Sequence, residues 1–168
     1  MALAVPPCYG PAMGKDRKRR IKAATIAKGE ERRARQCAAL PIRVTPDGVE
    51  VMLVTSRETR RWILPKGWME RGTEPEAMAA REAWEEAGLR GRVRPGVYAE
   101  YHYDKRLPSG RLRPCRVDVY LLLVDMVADA WPEQGQRERR WFTPAQAAFA
   151  CGESGLVPIL LGFALPED

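Results

Sequence analysis

A chain of 168 residues with 45% hydrophobic and 30% charged residues is long enough for one domain with its own core, which excludes an intrinsically disordered protein. The longest apolar run, at 119–124, is far too short to cross a bilayer, so we expect no membrane-spanning segment. The net charge of +6 is concentrated in residues 1–35, where ten Lys and Arg residues accompany three acidic ones.

The basic N-terminal part is predicted to be a flexible arm over residues 1–34, and residues 35–168 are predicted to form the folded domain. A basic arm attracts polyanions, but a solvated arm is the more common case, so a nucleic-acid partner is not favoured. The chain does not begin with a signal-peptide pattern. No metal-ligand or redox spacing relates the cysteines, and we expect them to be reduced in a cytoplasmic protein: Cys8, Cys37, Cys115 and Cys151.

Three strands are predicted at the start of the domain. Apolar residues favour strands at 36–44 and 49–57, and the turn residues Thr45 to Gly48 join them into a hairpin. A short third strand is predicted at 61–65.

A helix is predicted from Pro75 to Ala87. Thr73 is the expected N-cap, Glu74 and Glu76 lie in the expected first turn, and Gly88 ends the helix.

The second half of the domain is predicted to be mainly strands. They are expected at 96–104, 115–127 and 137–142, with a basic loop at 105–114 before the long strand. One or two helices are expected within 143–151 and 155–163. Strands followed by helices in this order indicate a mixed sheet with helices packed on it, in the α/β or α+β class.

Three glutamates share one face of the predicted helix. Glu82, Glu85 and Glu86 are spaced by three and four residues, so their like charges lie side by side. Mg²⁺ is a hard cation that prefers carboxylate oxygens, waters and phosphate oxygens, and it would compensate this repulsion. The opposite face is small and apolar, as close packing on a sheet requires. The alternative is an ordinary solvated helix with surface glutamates.

The segment from Gly67 to Leu89 resembles the Nudix box, which runs Gly, five residues, Glu, seven residues, then Arg-Glu-aliphatic-any-Glu-Glu-any-Gly-aliphatic. The matching residues are Gly67, Arg81, Glu82, Glu85, Glu86, Gly88 and Leu89. The resemblance implies a Nudix fold, with a mixed β-sheet sandwiched between helices. It also implies a hydrolase that cleaves phosphoanhydride bonds.

The resemblance further implies how the metal is held and used. Glu82, Glu85 and Glu86, with the backbone carbonyl of Lys66, would hold Mg²⁺, or Mn²⁺ in its place. Glu82 or Glu86 would act as the general base, and Arg81 would orient a box glutamate. In some family members the base comes from elsewhere, and the candidates of that kind are Glu133 and Glu138.

Two residues depart from the box pattern. Thr73 stands where the family has its first Glu, which braces the loop against the box arginine; Arg81 is therefore expected to pair with Glu70, Glu74 or another acid. Ala83 replaces a larger aliphatic residue, which is a packing change.

Basic residues outside the box indicate a substrate with many phosphates, because each guanidinium group can bind phosphate oxygens in a bidentate manner. The stretches 54–70, 81–91 and 131–142 make the domain similar to the diphosphoinositol polyphosphate phosphohydrolase branch. This resemblance implies cleavage of inositol pyrophosphates, and members of the branch often also cleave diadenosine polyphosphates. By matching position, phosphate contacts are expected from Ser56, Arg57 and Arg116, with Arg35 or Arg43. Lys66 and Trp68 stand where this branch usually has glycines; both are expected near substrate, with Trp68 either stacking on a base or packing on the core.

The leading hypothesis is a Mg²⁺-dependent Nudix pyrophosphatase acting on a diphosphoinositol polyphosphate or a dinucleotide polyphosphate. The basic arm favours a second hypothesis, removal of pyrophosphate from RNA 5′ ends. The missing box Glu at Thr73 leaves a third, a non-catalytic Nudix module that senses a nucleotide or nucleic acid. The phosphorylated small molecule is the expected partner, and the protein is expected to be a monomer or a homodimer.

Overall fold

An eight-stranded mixed sheet is the central feature of the computed structural model, which describes residues 34–107 and 109–166. The strands are β1 Ala34–Thr45, β2 Gly48–Thr55, β3 Trp62–Ile63, β4 Lys66–Trp68, β5 Leu89–Val93, β6 Ala99–Arg106, β7 Leu112–Val127 and β8 Arg139–Phe142. The helices are α1 Pro75–Ala87, α2 Pro144–Ala150 and α3 Val157–Leu161.

The sheet is built around the parallel pair β1 and β7, in which Ala38 lies opposite Val119. Its order is β3-β2-β1-β7-β5, and β4, β6 and β8 pair with β1, β7 and β2 respectively. The pairs other than β1–β7 are antiparallel. The short strand β4 lies beside the first half of β1, with Gly67 opposite Cys37, and this pairing brings the loop before α1 onto the sheet.

Helices cover both faces of the sheet because successive strand residues point to opposite faces. Along β1, Cys37 and Ala39 pack with Met78 and Ala83 of α1. The alternate residues of β1 form a second cluster with residues of α2 and α3: Ala38, Leu40, Ile42, Ala147, Leu156 and Leu160. The predicted mixed sheet between helices is therefore confirmed.

The predicted strands and helices are present, although the ends of several strands differ from the predicted ranges. The structure adds two strands that were not predicted, β4 and β5, and it extends β6 to Arg106 and starts β7 at Leu112, so the basic loop is shorter than expected. Helix α1 has the predicted bounds and ends at Gly88, which has a left-handed backbone (φ 65°).

The expected N-cap at Thr73 is wrong. The cap position is Glu74, whose side chain makes no capping hydrogen bond. Glu74 precedes Pro75, and a residue before proline is held in an extended conformation. The N-cap is therefore Glu74, one residue after the expected Thr73, and the helix begins at Pro75. The Thr73 N–H instead donates to the carbonyl of Glu70 within the preceding turn, at 3.3 Å.

The predicted arm over residues 1–34 lies outside the described residues except for Ala34, the first residue of β1, and Cys8 lies there too. Over the described ranges, no helix has both the length and the apolar character needed to cross a membrane.

Candidate active site

Glu86, near the end of α1, is buried against β4 and the segment before β8. Its residue is only 5% exposed, its Oε2 accepts the backbone N–H of Lys66 at 3.2 Å, and its Oε1 is paired with Arg137. Hydrogen bonds from Ala39 N–H to the Pro65 carbonyl and from Met69 N–H to the Arg35 carbonyl flank this position. Lys66 lies next to the first of these bonds, at a position of the antiparallel ladder where the N–H and C=O both point away from the partner strand. The Lys66 carbonyl therefore lies on the same edge of β4 as the Lys66 N–H, which donates to Glu86.

Position 67 has room only for glycine while the Glu82 carboxylate is in place, because the carboxylate occupies the space that a side chain would need. A Cβ placed on Gly67 would lie 2.0 Å from Glu82 Oε1. Burial raises the pKa of the Glu82 carboxyl, and the neighbouring charge of Glu85 raises it further. The glycine of the box therefore lets an electrostatically unfavourable carboxylate lie directly against the β4 backbone.

We expect Gly67→Ala to disturb the site more than the fold. The new methyl group meets the end of a flexible side chain, which can move, so the free energy of unfolding should change by less than about 1 kcal/mol. The displaced Glu82 carboxylate should weaken binding of a divalent cation by about 10- to 100-fold. Calorimetric titration with Mg²⁺ and urea unfolding measure the two effects, and equal cation affinity in the two proteins would contradict the assignment of Glu82.

The segment between β7 and β8 is fastened to the C-terminal end of α1. The Trp131 indole N–H donates to the Glu86 carbonyl at 3.2 Å, and the Glu133 N–H donates to the Glu85 carbonyl at 3.1 Å. Arg139 donates to the Ala87 carbonyl at 2.6 Å. These contacts place acidic and basic side chains of this segment next to the box glutamates.

Arg137 is a site residue that the sequence did not single out. Besides its contact with Glu86, its Nε pairs with Glu133 Oε2 at 2.5 Å and its Nη1 donates to the Thr55 carbonyl at 2.9 Å. Arg137 thus brings Glu133, one of the two candidate general bases outside the box, close to Glu86. Glu138, the other candidate, instead pairs with Arg60 and is well exposed.

The box arginine is braced by Glu70, one of the acids expected to replace the missing box glutamate. Arg81 Nη2 lies 2.6 Å from Glu70 Oε1, and Nη1 donates to Glu70 Oε2 at 3.1 Å. Arg81 Nε lies 3.9 Å from Glu85 Oε1, so the arginine also orients a box glutamate loosely.

The donor groups around Gly67 suit a hard divalent cation. Glu82 and Glu86 supply carboxylate oxygens whose ionised forms burial disfavours, and Lys66 supplies a carbonyl on the same edge. The three box glutamates share one face as predicted, but within the described residues no three acidic, His or Cys side chains converge as a metal cluster. Arg137 holds Glu86, and Glu85 lies towards Arg81 and is partly exposed, so the metal assignment stays a prediction.

The pKa of Glu86 makes the stability of the metal-free protein depend on pH. Burial raises this pKa from 4.5 to about 7, although Arg137 opposes the shift. The folded state then binds the proton of Glu86 more tightly than the unfolded state does. The contribution of this carboxyl to the free energy of unfolding is therefore fully present below pH 4.5 and is lost as the pH rises towards 7. We expect the free energy of unfolding to fall by at most about 3 kcal/mol across this window.

Urea unfolding in EDTA buffer measures this slope, and the difference between the wild type and Glu86→Gln isolates the contribution of this one carboxyl. A wild-type slope equal to that of the variant would contradict the shifted pKa.

Lys66 does not offer its side chain to a substrate. Its Nζ lies 2.8 Å from Glu153 Oε1, and both side chains are 5% exposed. The Tyr101 hydroxyl donates to Glu153 Oε2 at 2.6 Å, which completes a buried network. The structure therefore does not support Lys66 as a substrate-binding side chain, because its ammonium group already has a buried partner.

Trp68 lies in a cationic cluster. The Lys105 Nζ is 4.5 Å from the centre of the Trp68 ring, and the Arg113 guanidinium is 5.3 Å from it. Burial lowers the pKa of Lys105, and the nearby charge of Lys66 lowers it further. This cluster is defined here as Trp68, Lys105 and Arg113.

Arg57 reaches the site, with its Nη1 3.6 Å from Glu133 Oε1 and most of its side chain exposed. Ser56 shapes the loop that carries Arg57: its hydroxyl contacts the Thr59 hydroxyl at 2.7 Å and accepts the Arg61 N–H at 3.1 Å.

The other predicted phosphate ligands are three arginines that already have carboxylate partners. Arg35 and Arg116 both pair with the fully buried Asp118, at 2.6 and 2.8 Å, and Arg116 also pairs with Glu100. Arg43 pairs with Glu50 and lies over Trp141. It is five residues along β1 from the position opposite Lys66, about 17 Å at strand spacing, so the structure does not support its expected contact with substrate.

Comparison with known proteins places this site in a family. Residues 34–161 match the NUDIX domain. Nudix hydrolase 16, mitochondrial, of Arabidopsis thaliana is 33% identical over 108 residues, which are 61% of this chain and 58% of that protein. Diphosphoinositol polyphosphate phosphohydrolase 3-alpha of Homo sapiens is 37% identical over 98 residues, 55% of this chain and 54% of that protein. The chain thus spans little more than half the length of these relatives.

The fold also matches solved structures. A C. elegans Ap4A hydrolase in a binary complex aligns with a TM-score of 0.60 and 17% sequence identity, covering 76% of this chain and 93% of that one. At this identity the similarity concerns the fold.

Proposed function

The chain belongs to the NUDIX domain family, and we propose that it is a Mg²⁺-dependent pyrophosphohydrolase that cleaves a phosphoanhydride bond in a highly phosphorylated small molecule. The observation that carries the proposal is the placement of the Glu82 and Glu86 carboxylates against the backbone of Lys66 and Gly67. Holding a buried carboxylate, Glu86, beside a half-buried one, Glu82, is costly, and a non-catalytic module that only senses a ligand has no need of this arrangement.

The residues of the chain have distinct roles in this mechanism. Glu82, Glu85 and Glu86, with the Lys66 carbonyl, would hold Mg²⁺, or Mn²⁺ in its place. When bound, the cation neutralises phosphate oxygens and lowers the pKa of the attacking water. Glu82 or Glu86 would accept the proton of that water, because their carboxylate oxygens lie at the place where the water would be held.

The cations around the site support a substrate with several phosphates. Arg57 lies on one side of it, beside Glu133, and the Trp68 cluster contributes Lys105 and Arg113. Guanidinium and ammonium groups bind phosphate oxygens and concentrate polyanionic ligands. A diphosphoinositol polyphosphate, the substrate in the names of several relatives, fits this charge.

A dinucleotide polyphosphate is the second candidate, and Trp68 is the observation that favours it. A partly exposed aromatic ring such as Trp68 at the edge of a phosphate site can stack on a base. Here the Lys105 ammonium lies over the Trp68 ring, which favours the inositol substrate, unless a base displaces the ammonium.

A substrate panel tests the proposal. The protein is incubated with Mg²⁺ and, separately, with a diphosphoinositol polyphosphate, a diadenosine polyphosphate, ADP-ribose, a nucleoside triphosphate and 5′-triphosphorylated RNA. We expect the highest kcat/KM on the diphosphoinositol polyphosphate. The absence of turnover on every substrate would reject the enzyme hypothesis, and turnover of the RNA alone would favour removal of pyrophosphate from RNA 5′ ends.

Three expectations remain predictions: a monomeric or homodimeric state, a cytoplasmic location, and a role of the basic arm on RNA. Comparing the full chain with a variant lacking residues 1–33 in the same panel addresses the arm, because only the RNA activity should then change.

A further inference from the structure

The guanidinium group of Arg137 lies where the box carboxylates need a positive charge. Arg137 is 8% exposed, and its three nitrogens are all engaged. Nη2 contacts Glu86 Oε1, Nε contacts Glu133 Oε2, and Nη1 donates to the Thr55 carbonyl. A buried arginine thus links a box glutamate to an acidic residue outside the box.

Glu86 has partners on both of its oxygens. Arg137 takes Oε1, and the Lys66 N–H takes Oε2 at 3.2 Å. A divalent cation bound to this carboxylate would lie a few ångströms from the Arg137 guanidinium, and the Glu86 and Arg137 side chains beside it are almost inaccessible to water. Like charges repel strongly in such an environment because the solvent does not screen them.

We propose that Arg137 is the resident counter-ion of Glu86, and that the Arg137–Glu86 contact and a bound divalent cation exclude one another. The inference rests on the proposed function, because it takes Glu86 as a ligand of the cation. Arg137 then sets the affinity of the site: every cation that binds must first break this contact.

The surroundings of Arg137 allow this exchange without unfolding. Only the Nη2 contact with Glu86 has to break, because Glu133 and the Thr55 carbonyl still hold Nε and Nη1. The backbone of the segment stays fixed through the hydrogen bond from Glu133 N–H to the Glu85 carbonyl. The positive charge of Arg137 therefore keeps a carboxylate partner, Glu133, in both states.

Calorimetric titration of the metal-free protein with MgCl₂ tests the proposal on four proteins: the wild type, Arg137→Gln, Glu86→Gln and Arg43→Gln. We expect Arg137→Gln to bind Mg²⁺ at least about tenfold more tightly than the wild type, since the competing cation is gone. Arg43→Gln makes the same change of net charge in a surface pair with Glu50 and should bind as the wild type does.

The outcomes separate the inference from the proposed function. Equal or weaker binding by Arg137→Gln, together with loss of binding in Glu86→Gln, overturns the inference and leaves the metal assignment standing. Equal binding by Glu86→Gln and the wild type overturns both. Absence of binding in the wild type and in Arg137→Gln also overturns both.

A second measurement needs only the wild-type fold. Arginine side-chain NMR reports whether the Nη groups of Arg137 are held, and the Arg137→Lys variant identifies their signals by their loss. We expect distinct Nη signals in the metal-free protein, and the Nη2 signal should shift when Mg²⁺ saturates the site and Nη2 is released, while the Nη1 signal, held by the Thr55 carbonyl, stays in place. Unchanged, distinct signals at saturation would overturn the proposal.

Discussion

Replacing Glu86 by Gln is expected to lower kcat by at least about 10³-fold, with the fold retained. Glutamine has nearly the same shape and can still accept the Lys66 N–H. It carries no negative charge, however, so it provides neither an anionic ligand for a cation nor a group that takes a proton from water. Steady-state kinetics on the best substrate of the panel measures the loss.

The control is Glu74→Gln, which makes the same chemical change at the start of the same helix. The Glu74 side chain makes no capping hydrogen bond, and kcat should stay within about twofold of the wild type. Circular dichroism confirms that both variants are folded. If Glu86→Gln retained more than a tenth of the wild-type kcat, Glu86 would be neither an essential cation ligand nor the base.

The part of the site that lies on α1 could be predicted because it depends on local spacing. Glu82, Glu85 and Glu86 share a face as a consequence of helix geometry, and Pro75 and Gly88 mark the ends of α1 in the sequence. The pattern also correctly indicated that another acid would brace Arg81, and Glu70 does so.

The residues that complete the site could not be predicted because their contacts join distant parts of the chain. Arg137 is 51 residues from Glu86, and Glu153 is 87 residues from Lys66. The three-residue strand β4 exists only through its pairing with β1, and no three-residue pattern reveals such a strand. Positional matching also selected Arg43, which lies on β1 but pairs with Glu50 and is five residues along the strand from the position opposite Lys66.

Lys66 was expected near the substrate, but its side chain is paired with Glu153. Replacing Lys66 by Met is therefore expected to lower the stability of the protein strongly. The ammonium group of Lys66 is the positive partner of Glu153, and the two side chains are almost inaccessible to water. Methionine fills a similar volume but leaves the Glu153 carboxylate buried, with the Tyr101 hydroxyl as its remaining side-chain donor. We expect the free energy of unfolding to fall by about 3–5 kcal/mol, the usual cost of removing one partner of a buried pair.

Urea unfolding measures this change, and two further variants show whether the uncompensated charge is its cause. In the double variant Lys66→Met with Glu153→Met, no buried charge remains, so the double variant should be more stable than Lys66→Met, although the unpaired Tyr101 hydroxyl still costs about 1–3 kcal/mol. Lys105→Met makes the same replacement at an ammonium group that lies over the Trp68 ring instead of on a buried carboxylate, and it should cost no more than about 1 kcal/mol.

If Lys66→Met and Lys105→Met lost equal stability, the buried pair would not be what holds Lys66 away from the substrate. If instead the double variant recovers, the charge that replaces a family glycine belongs to the core: Lys66 ties β4, and with it the N–H that contacts Glu86, to the segment between α2 and α3. Under the proposed function, Arg57 and the Trp68 cluster are then the cations near the site whose side chains are not committed to buried carboxylates.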